Sequence, residues 1–380
     1  MLEPMAGRTP GTRSAVPART VRWSVAPILV RQVRGPVIES VHRGDVVEAD
    51  ATGRLIHVLG DPDREVNLRS AVKPFGLTAL LRAGGRAEFD LTAEELAIMA
   101  SSHSGEDLHA RTLMALHRRA GVSAGVLACG TDTTPMDALT AARLARDGER
   151  PSQLRHMCSG QHTAFLLLAK LGGWEPDGYW QQEHPAHQAY VEAVADAFGV
   201  PATRLVVSID ACGIAAFAFP LREIARAYAF LADPSAVPAS DPRAAAGKHL
   251  AEVRDAMVAH PELVAGTRDR LDTSLMKAAP DRLVAKGGAE GLSGIGILRG
   301  ARGAGSRPSG LALKIEDGGG DERASWAATV EALRQAGALD DQALRGLARY
   351  HRPPALDPHG QVVGEAIAEF ELAPVGELAG

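Results

Sequence analysis

The chain has 380 residues, 46% hydrophobic and 23% charged, which is apolar enough to bury a sizeable core and unlike the composition of a disordered segment. Its formal net charge of -5 and pI near 6.2 supply no basic footprint for neutralising phosphates, so nucleic acid is not an expected partner. No stretch reaches the roughly 18 apolar residues that span a bilayer. Residues 1–22 carry Arg8, Arg13, Arg19 and Arg22 without the apolar run of a signal peptide, and the sequence predicts a cytoplasmic protein with no membrane partner. The three cysteines, Cys129, Cys158 and Cys212, are an odd number too small for a disulfide framework, leaving reduced thiols or a metal as the expectation.

Residues 1–24 hold Pro4, Gly7, Pro10, Gly11 and Pro17 among arginines, the composition of a disordered N-terminal segment, and residues 25–380 are read as one domain. Pro36 to His57 contains two β-branched runs around Ala51-Thr52-Gly53 and predicts a hairpin. Leu77, Leu80 and Leu81 share helical spacing before Gly84-Gly85, so a helix with a glycine stop is expected, with Ser70 near its start. Thr92 and Glu95 form a capping-box pattern ahead of a short helix, and a second helix leaves the polar stretch Ser101-Ser102-His103-Ser104-Gly105-Glu106. Further helices are expected near 137–147, 159–171 and 186–198. The C-terminal third turns strand-like in LVAKGG, GLSGIGIL and GLALKIEDG, with a long glycine-rich turn between the last two, then closes with the helix WAATVEALRQAG and a strand near QVVGEAIAEFEL. Strands at both ends around a helical middle predict an α+β fold, an antiparallel sheet flanked by helices.

The chemistry-bearing residues begin with Ser70-Ala71-Val72-Lys73, because residues three apart on a helix share a face and a neutral amine there can take the serine proton. Burial and neighbouring cations lower a lysine pKa toward that role, and Arg69 is such a cation. Pro74 disfavours helical geometry at Lys73, so an irregular first turn is expected. Ser-x-x-Lys alone occurs in many solvated helices. It gains weight from Ser102 and from Lys286-Gly287-Gly288 on a C-terminal strand, since serine-lysine hydrolases use a second hydroxyl and a lysine-glycine strand in that chain order. The bland alternatives are a helix-capping Ser102 and a surface Lys286. Cys158 and Cys212, with His162 four residues after Cys158, could supply soft ligands for zinc or could be small buried hydrophobes. Gly130-Thr131-Asp132-Thr133 resembles a motif of threonine-nucleophile asparaginases, but no Thr-Gly-Gly-Thr accompanies it. Gly294-Ile295-Gly296 and Gly318-Gly319-Gly320 lack the strand-to-helix context of phosphate loops and are read as turns.

Taken together, the blocks ESVHRG, RSAVKPF, ASSHSGE, CSGQHTAFL, DACGIAAFAFPL, MVAHPELVAGTRDRLDT and LVAKGGAEG resemble the rhizobial-type L-asparaginase family, also labelled asparaginase II, from about Val33 to Ala373. The resemblance implies a fold like that of serine β-lactamases and glutaminases, a homodimer, and hydrolysis of L-asparagine to L-aspartate and ammonia. It places two Ser-Lys pairs at the site, Ser70 with Lys73 and Ser102 with Lys286, with Ser70 as nucleophile, and puts Arg69, His162, Asp210 and Gln161 in contact with substrate. Arg69 suits a carboxylate and Asp210 an ammonium. The same resemblance implies no required cofactor for the chemistry but a zinc ion held by Cys158, Cys212 and a lysine, and that lysine is Gln161 in this chain. An amide oxygen is a poor zinc ligand, so the metal becomes the point of departure from the family. Two alternatives stand beside this reading: a β-lactamase-like or glutaminase hydrolase of another amide, and a catalytically silent amino-acid or zinc-binding protein.

Overall fold

The structure, a computed structural model, describes residues 25–376, so the expected disordered segment 1–24 lies outside the described residues. Eleven strands are present among them: β1 (Ile28–Arg34), β2 (Val37–Ala49), β3 (Leu55–Leu59), β4 (Glu65–Asn67), β5 (Val206–Ile209), β6 (Ala215–Pro220), β7 (Leu283–Gly288), β8 (Leu292–Ile297), β9 (Ser309–Ile315), β10 (Pro354–Leu356) and β11 (Val362–Ala368). The main sheet runs β10-β11-β1-β2-β9-β8-β7 with β3 paired to β2, and every pairing in it is antiparallel. It is built from the two ends of the described chain, as the α+β reading expects. The expected hairpin is β2 and β3, in register Val47 to Val58.

A second sheet, β4-β6-β5, is absent from the sequence reading. Its strands are only three to six residues long and carry little alternating pattern, and it forms by pairing residues about 150 positions apart, Asn67 with Ala218. β1 was also not anticipated. The predicted helices are found at Ala93–Met99, Asp107–Ala120, Ala138–Asp147, Ser159–Leu171, Pro185–Phe198 and Trp326–Gln335, the first with both hydrogen bonds of its Thr92/Glu95 capping box.

Gly294 and Gly296 correct the turn reading, because both lie inside β8 rather than between elements. A Cβ on Gly294 would stand 2.3 Å from the Tyr228 ring. The glycine therefore lets the helix Leu221–Ala232, buried along most of its length, press Tyr228 into the sheet. The Gly318 to Gly320 stretch is a turn, all three residues having positive φ.

Candidate active site

Ser70 sits on a single 3-10 turn, Arg69–Val72, that runs into the α-helix Lys73–Gly76. The first turn is irregular, as Pro74 suggests, yet Lys73 itself is helical at φ -57, ψ -39. The turn opens on Arg69 at φ 47, the left-handed region that an L side chain enters at a cost of about 1–3 kcal/mol. Two interactions hold it there. The Arg69 amide donates to Asn67 Oδ1 at 3.0 Å, and its guanidinium pairs with Asp210 Oδ1 at 2.7–2.8 Å. Asn67 comes from β4 and Asp210 follows β5, so the small sheet missed in the sequence is the frame of the Ser70 turn.

Ser102 belongs to a segment, Ser101 to Glu106, whose six residues are all buried rather than solvated. Its backbone is satisfied in detail: Ser102 N donates to Val264 O at 3.0 Å, and Ser102 O accepts from Arg270 at 2.9 Å. Burial of such polar groups is tolerated because they are paired. Lys73, 2% exposed, places its ammonium against three acceptors: Ser101 O at 2.8 Å, Ser102 Oγ at 3.1 Å and Cys158 Sγ at 3.2 Å. The lysine nearest Ser70 in sequence is thus hydrogen-bonded to the other serine.

Cys158 reaches this point because Gly160, two residues on, has no side chain: a Cβ there would lie 1.9 Å from Ile98 O, so the helix Ser159–Leu171 packs directly on the helix Ala93–Met99. Cys212 lies within hydrogen-bond reach of Cys158. The bond from Cys212 and the Lys73 charge hold the Cys158 thiol well below its usual range, while that same bond and burial push Cys212 up.

This donor set does not fit zinc. Gln161 donates its amide to Tyr190 Oη at 3.2 Å, and among the described residues no three His, Cys, Asp or Glu side chains converge as a metal site requires. His162 is fully buried, with its Nδ1 2.5 Å from Tyr179 Oη and its Nε2 lacking a hydrogen-bond partner. Burial lowers its pKa to about 3, so the imidazole is neutral.

Lys286, 1% exposed on β7, donates to Gly287 O at 2.6 Å. Burial, opposed by Asp272 and helped by the charges of Lys73 and Arg270, lowers its pKa to about 7. The Tyr228 hydroxyl lies 2.8 Å from Ala71 O and 3.1 Å from Lys286 O, sharing its proton between the Ser70 turn and β7. Burial keeps that hydroxyl neutral.

Ser70 and Ser102 line one open cleft of about 670 Å³, walled also by Arg270, Asp272, Gly287, Gly288 and Glu290. Arg69 and Asp210 are not in its wall; they meet each other at the foot of the Ser70 turn. Gln161 faces a separate small cavity beside Lys73 and Tyr190. Sequence reading missed Tyr228, Arg270 and Asp272, although the last two stand in the TRDRLDT block. At the start of the Ser70 turn, Ala71 N donates to Leu68 O at 2.9 Å.

Ser70 and Ser102 thus share one cleft, with Lys73 buried behind Ser102. The L-asparaginase II family model matches residues 30–368, and the chain belongs to that family of amidohydrolases. Among solved structures, one described as Mglu is 18% identical with a TM-score of 0.43, covering 81% of this chain and 67% of its own. A probable glutaminase from Bacillus subtilis complexed with 6-diazo-5-oxo-L-norleucine is 13% identical with a TM-score of 0.33, covering 72% and 78%. A search of curated protein sequences gave no significant match. No helix among the described residues is long and apolar enough to cross a membrane.

Proposed function

We propose that the chain is an L-asparaginase that hydrolyses the side-chain amide of L-asparagine through a serine ester. The observation that carries this reading is the cleft shared by Ser70 and Ser102, with the Lys73 ammonium 3.1 Å from Ser102 Oγ behind it. Lys73 Nζ is committed to three acceptors, which fixes it in place. Lys286, brought to about 7 by burial, is the amine able to accept a proton near neutrality.

Ser70 Oγ attacks the amide carbon as its proton passes to the Lys286 amine. The carbonyl π pair moves to oxygen, and the oxyanion needs donors at the cleft wall. Collapse breaks the C–N bond, the leaving nitrogen takes the proton, and ammonia departs. Water then adds to the ester with the same amine as base, and C–O cleavage returns its proton to Ser70 and frees aspartate. Ser102, fixed by Lys73, offers a hydroxyl to the reacting groups. Arg69 and Asp210, paired with each other outside the cleft wall, hold the Ser70 turn in place. The family pattern supports a homodimer, which sedimentation of the purified chain would check.

The test is ammonia release from L-asparagine, with L-glutamine beside it. Release from glutamine alone would move the substrate to the longer amide. Release from neither, with amino-acid-dependent thermal stabilisation, would favour a silent binding protein.

A further inference from the structure

Among the carboxylates lining the cleft, Asp272 has a place the reaction above does not use. Asp317 is bonded to His42 and Asp269 to Arg349. Asp272, in the first turn of the helix Leu271–Ala278, instead accepts a hydrogen bond from the backbone of β7: its Oδ2 takes the Gly287 amide at 2.9 Å. The same Gly287 offers its carbonyl to Lys286 Nζ at 2.6 Å. Gly287 therefore links the carboxylate to the amine, its N–H held by Asp272 and its carbonyl by Lys286 Nζ, and Tyr228 donates to the Lys286 carbonyl at 3.1 Å.

We propose that Asp272 is a positioning residue for Lys286, holding by its amide the Gly287 residue whose carbonyl receives the amine, and setting its charge from the cleft wall. This rests on the proposed role of Lys286 as proton acceptor. The groups facing Lys286 come from four elements. Lys73 on the helix Lys73–Gly76 and Arg270 just before the helix Leu271–Ala278 disfavour its protonation. Asp272 on that helix and Cys158 before the helix Ser159–Leu171 favour it, and Asp272 is the stronger of the two. Tyr228, from the helix Leu221–Ala232, faces it as a neutral group. Without Asp272 the two cations act less opposed.

The sign follows directly. Removing a nearby anion makes the ammonium less favourable, so the Lys286 amine loses its proton at lower pH. Asp272→Asn keeps an oxygen for the Gly287 amide and removes only the charge; Asp272→Ala removes both. In Asp272→Asn the acid limb of kcat/KM for asparagine moves down by about one pH unit or more. In Asp272→Ala the limb moves likewise and kcat falls further, because Gly287 loses the hold on its amide and its carbonyl places the amine less firmly, while Asp272→Glu restores the wild-type limb in part.

Turnover is paired with a readout that does not depend on it. The 13Cε signal of Lys286 in lysine-labelled full-length protein, assigned with Lys286→Arg, is titrated in wild type and Asp272→Asn. A midpoint that drops in the variant supports the proposal. Midpoint and acid limb both unmoved, with only a lower melting temperature, would reduce Asp272 to a structural helix-start residue and overturn it. If the wild type releases no ammonia from asparagine or glutamine, the proposed activity fails on its own, and the titration still decides what Asp272 does to Lys286.

Discussion

The two serines of the cleft are held in opposite ways. Ser102 lies in a buried segment where Lys73, Arg270 and the Val264 carbonyl fix both its hydroxyl and its backbone. Ser70 is half-buried on a turn that begins with a left-handed arginine, and what holds it acts on the backbone around it: Asn67 at Arg69 N, and Tyr228 at Ala71 O. The saturated serine suits a fixed proton relay. The one whose hydroxyl is left to the cleft, on a strained turn, suits attack on a substrate.

That contrast breaks first at Ser70. Ser70→Ala is expected to lower kcat/KM for asparagine by about 10³-fold or more with little change in melting temperature, measured by ammonia release and calorimetry. Lys73→Met should come next, and it should differ in kind. It removes the donor to Ser101 O, Ser102 Oγ and Cys158 Sγ and leaves buried acceptors unpaired, so activity falls by about 10²-fold or more and stability by about 1–3 kcal/mol, read in urea unfolding. Equal loss of activity in the two variants with no loss of stability in Lys73→Met would erase the distinction between the two sides.

The pH profile sharpens it further. With Lys286 as the proposed proton acceptor, kcat/KM should fall as pH drops below about 7, where the amine gains its proton, and level off above it. Tyr228→Phe is expected to cost about 1 kcal/mol of stability and about tenfold in kcat, since the tie between the Ser70 turn and β7 is lost while the ring still fills its place opposite Gly294. Asn67→Ala should have the smallest effect, about 1 kcal/mol or less in thermal unfolding, by freeing the Arg69 amide.

Much of this was legible in the sequence where the signal is local. The capping box, the helix periods and the blocks around Ser70, Ser102, Cys158 and Lys286 all report on neighbours within a few positions. What was not legible depends on chain segments far apart. Lys73 is three residues from Ser70 but bonds to Ser102, because the buried Ser101 to Glu106 segment passes over the helix that bears it. Asp210 reaches Arg69 only through a sheet of three short strands that lacks a strong alternating pattern. Gly294 and Gly296 read as a turn because composition cannot tell a loop glycine from one that makes room for Tyr228 against a strand. Gln161 was the informative departure: its amide bonds to Tyr190 rather than joining the two cysteines, and the positive charge beside Cys158 comes from Lys73.

The most direct test of the account is trapping of the ester. Purified protein is quenched in acid during turnover of L-asparagine, and its peptides are weighed by mass spectrometry beside those of Ser70→Ala. The account expects an aspartyl adduct on the peptide bearing Ser70, absent from the variant, together with ammonia release that the variant lacks. Ammonia release that survives in Ser70→Ala, or an adduct found on Ser102 instead, would contradict the assignment of Ser70 as the attacking serine.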